Sequence, residues 1–409
     1  NFINFVYLDI YKKIMSFRVL KFLIKHLIKT RSVIIKFDGN DHLIDNGTDP
    51  LILQINNKKF LNKIFYAPSL VLTEGYMDKD YELSNSTFYE FSELLIENYN
   101  KYLEKISNTL IFRIILIINP LFQLNFVKSS KSNVASHYDL SDRLYDLFLD
   151  ETRQYSCAYF ENENDSLTQA QTNKMSRLAD KLLLNSNDRV LDIGCGWGSL
   201  SRHFADHHDC KVKGVSLSEE QIKYCNDQLK KSDKKENLSY SLQDYRDEEN
   251  SYTKIVSVGM FEHVGKPFYK TYFKKIYNLL SDDGIAVVHT IGNIRVPKMT
   301  PAFIRKYIFP GGYIPSLSEV MPAVEKSGLI ISDIEVLRLH YAKTLSHWFK
   351  NFKKEEKEVL KLYDDRFIRM WEAYLNLSEL SFTKGDNVIF QLVLTKKRDS
   401  FPLVRKKIS

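Results

Sequence analysis

Apolar residues follow three different rhythms along this chain. Between residues 17 and 29, Phe17, Leu20, Leu23, Ile24, Leu27 and Ile28 recur at helical spacing while Arg18, Lys21, Lys25 and Lys29 take the opposite side, which predicts a basic amphipathic helix. From Val33 to Leu61 the apolar runs are short and broken by Asp-Gly-Asn-Asp and Asn-Gly-Thr-Asp-Pro, the pattern of strands joined by turns. Glu90 to Leu103 reads as a helix. The run Leu110 to Phe122, interrupted by Arg113 and Pro120, is too short to cross a bilayer and is expected to pack inside.

The polar stretch Lys128-Ser-Ser-Lys-Ser-Asn133 reads as a linker, so residues 1–127 form a small mixed α+β module and residues 128–409 a second, larger domain. In that domain the rhythm becomes strand, helix, strand. Arg189 to Ile193, Lys211 to Ser216, Leu238 to Leu242, Lys254 to Gly259 and Gly284 to Ile291 are the expected strands. A helix is expected over roughly Lys353 to Leu375, and Asn387 to Leu394 as an antiparallel strand at the sheet edge. The alternation predicts an α/β fold: a Rossmann-like sheet with helices on both faces and a ligand outside the carboxyl ends of its strands.

Composition adds little to that picture: 44% hydrophobic and 27% charged residues are ordinary for a globular chain. Cys157, Cys195, Cys210 and Cys225 form no CxxC pair, which argues against a disulfide framework and against a zinc or other metal site. A reducing compartment is the simpler expectation. No signal peptide with a small-residue cleavage site is evident, although the chain starts at Asn1 without a methionine, so a cytoplasmic location is expected. The net charge of +7 favours an anionic partner, either nucleic acid or lipid. The basic helix fits an anionic membrane surface, where each basic residue contributes about 1 kcal/mol, and fits equally a helix docked on the protein's own core. Arg405, Lys406 and Lys407 repeat the hint at the other end. No concentrated basic and aromatic track points to nucleic acid.

Candidate chemistry starts at Asp192-Ile-Gly194-Cys-Gly196-Trp-Gly198, between a buried strand and the helical Ser199 to His207. Glycines there let the main chain turn sharply and approach a ligand, and the helix start offers free N–H donors. A dinucleotide site would carry its third glycine later and an acid at the end of the next strand, where this chain has Ser216. A purely structural turn is the other alternative.

An Asp ahead of GxGxG resembles the first motif of S-adenosylmethionine-dependent methyltransferases. The blocks Tyr155-Ser-Cys-Ala-Tyr-Phe160, Gln243-Asp-Tyr-Arg-Asp247, Val258-Gly-Met-Phe-Glu-His-Val-Gly265, His289-Thr-Ile-Gly292 and Tyr307-Ile-Phe-Pro310, in this order between about His137 and Trp371, together resemble cyclopropane fatty acid synthases. Glu74-Gly-Tyr-Met77 resembles that family's amino-terminal region more faintly. The resemblance implies that Tyr155, Ser156, Asp192, Gly194, Gly196, Ser216, Leu217, Gln221, Gln243 and Asp244 line a site for S-adenosylmethionine. It also implies that Cys157, Glu262, His289, Ile291 and Tyr341 surround a bicarbonate, partly through main-chain atoms.

The implied reaction transfers the sulfonium methyl to the cis double bond of an unsaturated phospholipid, and loss of a proton from that methyl closes a cyclopropane ring. An alkene is a weak nucleophile and must be held in line. A base must take the proton. Aromatic walls, Tyr341 with Phe160 and Tyr313, can steady the carbocation by about 0.5 to 2 kcal/mol each. Singly, Glu262 and His263 read as a surface pair opening a helix and His289 as a core histidine; His263 is expected to be structural or to support the site residues from behind. A cysteine frequent in the family near Tyr374-Leu-Asn376 is here Ser378, to which no role is given. The resemblance further implies a peripheral membrane enzyme and a homodimer. Rivals are a related methyltransferase that leaves a methyl branch or methylates an amine, and a non-catalytic lipid-binding protein.

Overall fold

The computed structural model describes residues 17–18, 20–45, 47–57, 60–61, 68–106 and 140–404, with side chains in the helix that ends at Ile106 described as far as residue 97. The run Leu110 to Phe122, the polar segment Lys128 to Asn133 with the domain boundary placed there, His137 and the basic tail Arg405 to Lys407 lie outside those residues. The chain divides into two compact units.

The first unit gathers the described residues up to 106 together with 301–308 and 352–385. Its sheet has the order β2-β1-β3-β4, built from Val33–Phe37 (β1), Asn40–Ile44 (β2), Leu51–Ile55 (β3) and Tyr81–Ser84 (β4). β1 pairs antiparallel with β2 through a tight turn and parallel with β3. Alternation along the strands sends Val33, Ile35, Leu51, Leu53 and Ile55 into one core. Leu20, Ile24 and Ile28 from the amino-terminal helix fill that same core and are fully buried, while Arg18, Lys25 and Lys29 face outward. The apolar stripe of that helix is therefore covered by the protein itself.

The helix expected over residues 353–375 is divided. His340–Lys354 belongs mainly to the second unit, and a new helix, Asp365–Thr383, starts where the Asp364 carboxylate accepts the Phe367 N–H at 2.8 Å. This helix is tied to the first unit, although the sequence reading counted it with the larger domain. Arg369 donates to both carboxylate oxygens of Glu82, Lys384 pairs with Glu93 and Glu97, and Lys306 and Tyr307 both reach Glu74. Complementary charges far apart in sequence thus recruit two later segments to the amino-terminal module.

The second unit is a seven-stranded sheet of order β10-β11-β9-β8-β5-β6-β7. Its strands are Arg189–Ile193 (β5), Lys211–Ser216 (β6), Leu238–Leu242 (β7), Tyr252–Val258 (β8), Leu280–Asn293 (β9), Ile330–Leu337 (β10) and Asn387–Thr395 (β11). β5 to β9 are parallel to one another, as their alternation with helices predicts. One correction concerns β11. It is antiparallel, as expected, but lies between β9 and β10 rather than at the edge. Its residues are buried on both faces, which an edge position would not provide, and the edge is the half-exposed β10, which the pattern analysis missed. Leu191 and Ile193 enter the core beneath helices Tyr269–Leu279 and Leu317–Ser327, while Val190 and Val212 enter the opposite core beneath Leu167–Leu182 and Ser199–His208.

Candidate active site

Four of the parallel strands end at one rim, and a cleft opens there. Asp192, at the end of β5, shares the sheet face of Val190 and accepts the Ser201 hydroxyl at 2.7 Å from the helix after the glycine turn. Burial pushes its carboxyl up to about 6 against that hydrogen bond and the Lys174 ammonium. Gly194, Gly196 and Gly198 all adopt positive φ, and the N–H groups of Gly194 and Cys195 both donate to the Val215 carbonyl, which closes the turn over β6. A Cβ at Gly196 would meet no atom within 4 Å. The turn leaves a cradle.

All ten residues expected to hold the cofactor line this one cleft: Tyr155, Ser156, Asp192, Gly194, Gly196, Ser216, Leu217, Gln221, Gln243 and Asp244. The Ser216 hydroxyl donates to the Gln221 side chain at 2.9 Å, so a neutral hydrogen-bonded pair occupies the position where a dinucleotide fold would carry an acid. Asp244 is buried and gripped by Arg246 through two hydrogen bonds of 2.9 and 2.7 Å. The turn's open side at Gly196, the neutral Ser216–Gln221 pair and the buried carboxyl of Asp244 suit an S-adenosylmethionine.

Sequence reasoning missed several lining residues, among them Arg153, Trp197, Met260 and Arg246. Trp197, Met260 and Arg246 stand inside quoted motifs, and that proximity was the available signal. Arg153 gave none: it lies over the rings of Trp197 and Tyr224, 5.0 and 4.4 Å from their centroids, while Asp146 holds its guanidinium. His263, expected to be structural or to support the site residues from behind, lines the cleft itself, and burial lowers its ring to about 4.

None of Cys157, Glu262, His289, Ile291 and Tyr341 is among the residues lining that cleft. They are linked to it and to one another. The Ile291 N–H donates to Glu262 Oε1 at 2.6 Å, and the Tyr313 N–H holds the Glu262 carbonyl at 2.9 Å. His289, two residues before Ile291 on β9, accepts the Gly259 N–H through its carbonyl at 2.9 Å, directly behind the cleft. Cys157 lies beside Ala158, whose N–H donates to Thr344 on the helix that also carries Tyr341. Lys174 is fully buried, donates to Ser156 at 2.8 Å and to Gln154, and its charge reaches Asp192, Cys157 and His289. Burial lowers this ammonium to about 8.

Two atoms in this group are buried without a hydrogen-bond partner among the described residues: Glu262 Oε2 and His289 Nε2. Buried polar atoms in a native site are normally satisfied, so each of the two calls for a polar partner that the described residues do not supply. Burial raises the Glu262 carboxyl and lowers His289 well below the usual imidazole range. Cys157 is buried and its thiol pushed up, which disfavours the thiolate form a nucleophile needs. Aromatic rings stand nearby: Tyr341 is edge-on to Trp348 at 5.7 Å, and Trp348 is 5.1 Å from Tyr155. Phe160 instead carries Lys343 over its face at 4.3 Å, and the Tyr313 hydroxyl is held by Glu319.

Comparison with known proteins agrees with this geometry. Residues 126–392 match the family described as mycolic acid cyclopropane synthetase, well over half the chain. The cyclopropane-fatty-acyl-phospholipid synthase of Escherichia coli K12 is 35% identical over 352 residues, covering 86% of this chain and 89% of that protein. The solved cyclopropane synthase MmaA2 from Mycobacterium tuberculosis superposes with a TM-score of 0.62 at 30% identity, over 64% of this chain and 97% of its own. Mycolic acid cyclopropane synthase CmaA1, complexed with SAH and CTAB, gives the same score, identity and coverage. The chain belongs to the mycolic acid cyclopropane synthetase family and is an S-adenosylmethionine-dependent methyltransferase of the cyclopropane-fatty-acyl-phospholipid synthase kind.

Proposed function

We propose that this enzyme methylates the cis double bond of an unsaturated phospholipid acyl chain and closes a cyclopropane ring. The observation that carries the reading is the pair of unsatisfied buried atoms, Glu262 Oε2 and His289 Nε2, behind a cleft that gathers every expected cofactor residue. The glycine turn with Asp192, Gln221 and Asp244 would hold S-adenosylmethionine, which supplies an electrophilic methyl. Glu262, His289 and the Ile291 main chain would hold bicarbonate, which supplies a base for the proton lost from that methyl.

The chain's own residues do the rest. Tyr155, Trp348 and Tyr341 exclude water, and any of their ring faces turned to a developing carbocation favours it by about 0.5 to 2 kcal/mol. Glu262 is anchored by the Ile291 N–H and is not proposed to take the proton itself, because a carboxylate free to reach the cation would collapse on it.

The CmaA1 structure contains CTAB together with SAH, which supports a long alkyl substrate at such a site. Among the described residues no helix is long and apolar enough to cross a membrane. Since Leu20, Ile24 and Ile28 are spent on the protein's own core, contact with the membrane is electrostatic, through Arg18, Lys25 and Lys29, at the cytoplasmic face of an anionic bilayer. Pairing of two copies belongs to the same reading and is checked by the mass in solution.

The test is incubation of purified enzyme with methyl-labelled S-adenosylmethionine and vesicles of one defined monounsaturated phospholipid. Cyclopropane chains carrying the label are expected. A methyl-branched chain would move the reading to a related methyltransferase, and lipid binding without any labelled product would replace it with a non-catalytic one.

A further inference from the structure

His289 sits in a ladder of polar side chains that crosses three strands. In the register of the sheet, Glu335 on β10 is directly opposite Gln391 on β11, and Gln391 is directly opposite His289 on β9. Lys181, from the helix Leu167–Leu182 that covers this face, donates to Glu335 and to Gln391 Oε1. Gln391 Nε2 then meets His289 Nδ1 at 3.0 Å. Gln391, His289 and Lys181 are all at most 1% exposed, so no water competes with these contacts.

The chemistry of the ladder leaves one assignment. An ammonium can only donate, so the Gln391 atom facing Lys181 is the oxygen, and the atom facing His289 is the NH₂ group. That group donates, so Nδ1 accepts. A neutral imidazole whose Nδ1 accepts carries its proton on Nε2, the atom that has no partner among the described residues. Arg177 grips the outer end of the ladder at Glu335 with Nε at 2.9 Å, and its guanidinium lies 4.3 Å from the Tyr159 ring centre.

We propose that Gln391 and Lys181 are positioning residues that hold His289 as a neutral Nε2–H donor, so that in the reaction this histidine binds and orients an oxyanion and does not itself accept the methyl proton. The inference deepens the reading given above and rests on it for the identity of the reaction. The charged and titratable groups around the ring fit it. Burial, Lys174 and Lys181 all disfavour a cationic imidazole, and the two ammonium groups favour an anion beside the ring.

The test uses the full chain labelled with ¹⁵N in its histidines, ten in all, with His289 identified by its loss in His289→Gln. Long-range proton–nitrogen correlation should show a pyridine-type Nδ1 and a pyrrole-type Nε2 in the wild type. Gln391→Glu keeps the shape and the partner for Lys181 but presents an acceptor to Nδ1, so the two nitrogens should exchange types. Removing one oriented donor from a reaction centre costs about 10² to 10³ in rate, so methyl transfer should fall by about a hundredfold or more with S-adenosylmethionine affinity unchanged. Lys181→Met frees the Gln391 amide to rotate and should give a mixture of both ring forms, with Lys181→Arg restoring the single form; this pair carries the test if Gln391→Glu does not fold.

A wild-type ring protonated on Nδ1, or a Gln391→Glu enzyme with exchanged nitrogens and undiminished rate, overturns the inference. The ring form is read without lipid. An Nε2–H ring in an enzyme that methylates no phospholipid would therefore sink the function and leave the ladder standing, whereas methylation with an Nδ1–H ring would do the reverse.

Discussion

Replacing Gly196 and Gly198 by alanine should separate the cofactor site from the fold. Both residues have positive φ, 54° and 73°, so each alanine carries a backbone cost of about 1–2 kcal/mol. Their surroundings differ. At Gly198 the new Cβ would stand 2.7 Å from Cys225 Sγ and 2.9 Å from Tyr240 Oη, inside a packed core, which adds about 1–3 kcal/mol of overpacking. At Gly196 it would meet nothing within 4 Å, because it would project into the cleft. Urea unfolding of both variants should therefore show a loss of about 1–2 kcal/mol for Gly196→Ala and about 2–5 kcal/mol for Gly198→Ala. Calorimetric titration with S-adenosylmethionine should show Gly196→Ala binding at least about tenfold more weakly, since about 1.4 kcal/mol suffices for that factor. Equal destabilisation of the two, or wild-type affinity in Gly196→Ala, would refute the placement of the cofactor against this turn.

Glu262→Gln keeps an oxygen for the Ile291 N–H yet changes the unsatisfied side of the group, so methyl transfer should drop by about a hundredfold while cofactor affinity holds; an active variant would remove Glu262 from the reaction. Lys174 is lowered from 10.5 to about 8, so between those values the unfolded chain binds more protons and the native state gains stability as pH rises. At up to about 1.4 kcal/mol for each pH unit, the wild type should gain about 3 kcal/mol relative to Lys174→Met from pH 8 to 10.5 and almost nothing relative to it below about pH 7; parallel unfolding curves would show that Lys174 titrates normally. Substituting Arg18, Lys25 and Lys29 by Gln should weaken sedimentation with anionic vesicles by about 1 kcal/mol per charge, an effect that high salt removes; equal loss on neutral vesicles would point to damage in the module's core instead.

What the amino-acid order determined by itself was local. The sharp turn from Asp192 to Gly198, the period-two runs that became β5 to β9 and the helices between them depend on neighbours a few residues away, so they were legible before any folding argument. The rim that collects Ser216 and Gln243 followed from the same rhythm, because parallel strands place their ends together, whereas Tyr155, on a loop, was expected there only from the family resemblance. Long-range pairing was not legible. Nothing in Asn387 to Leu394 says that β10 will cover its far edge, or that Asp365–Thr383 will join a module nearly three hundred residues earlier in the chain. The amino-terminal helix had an apolar stripe equally suited to a bilayer or a core, and only the presence of β1 and β3 beneath Leu20 and Ile24 decided it. Lys174, Arg177 and Lys181 are spaced along one helix and nothing in their local order marks them as buried; the fold buries them because Ser156, Glu335 and Gln391 arrive from other elements to satisfy them. A buried charge needs partners brought by tertiary structure, and a sequence shows the charge without showing what will meet it.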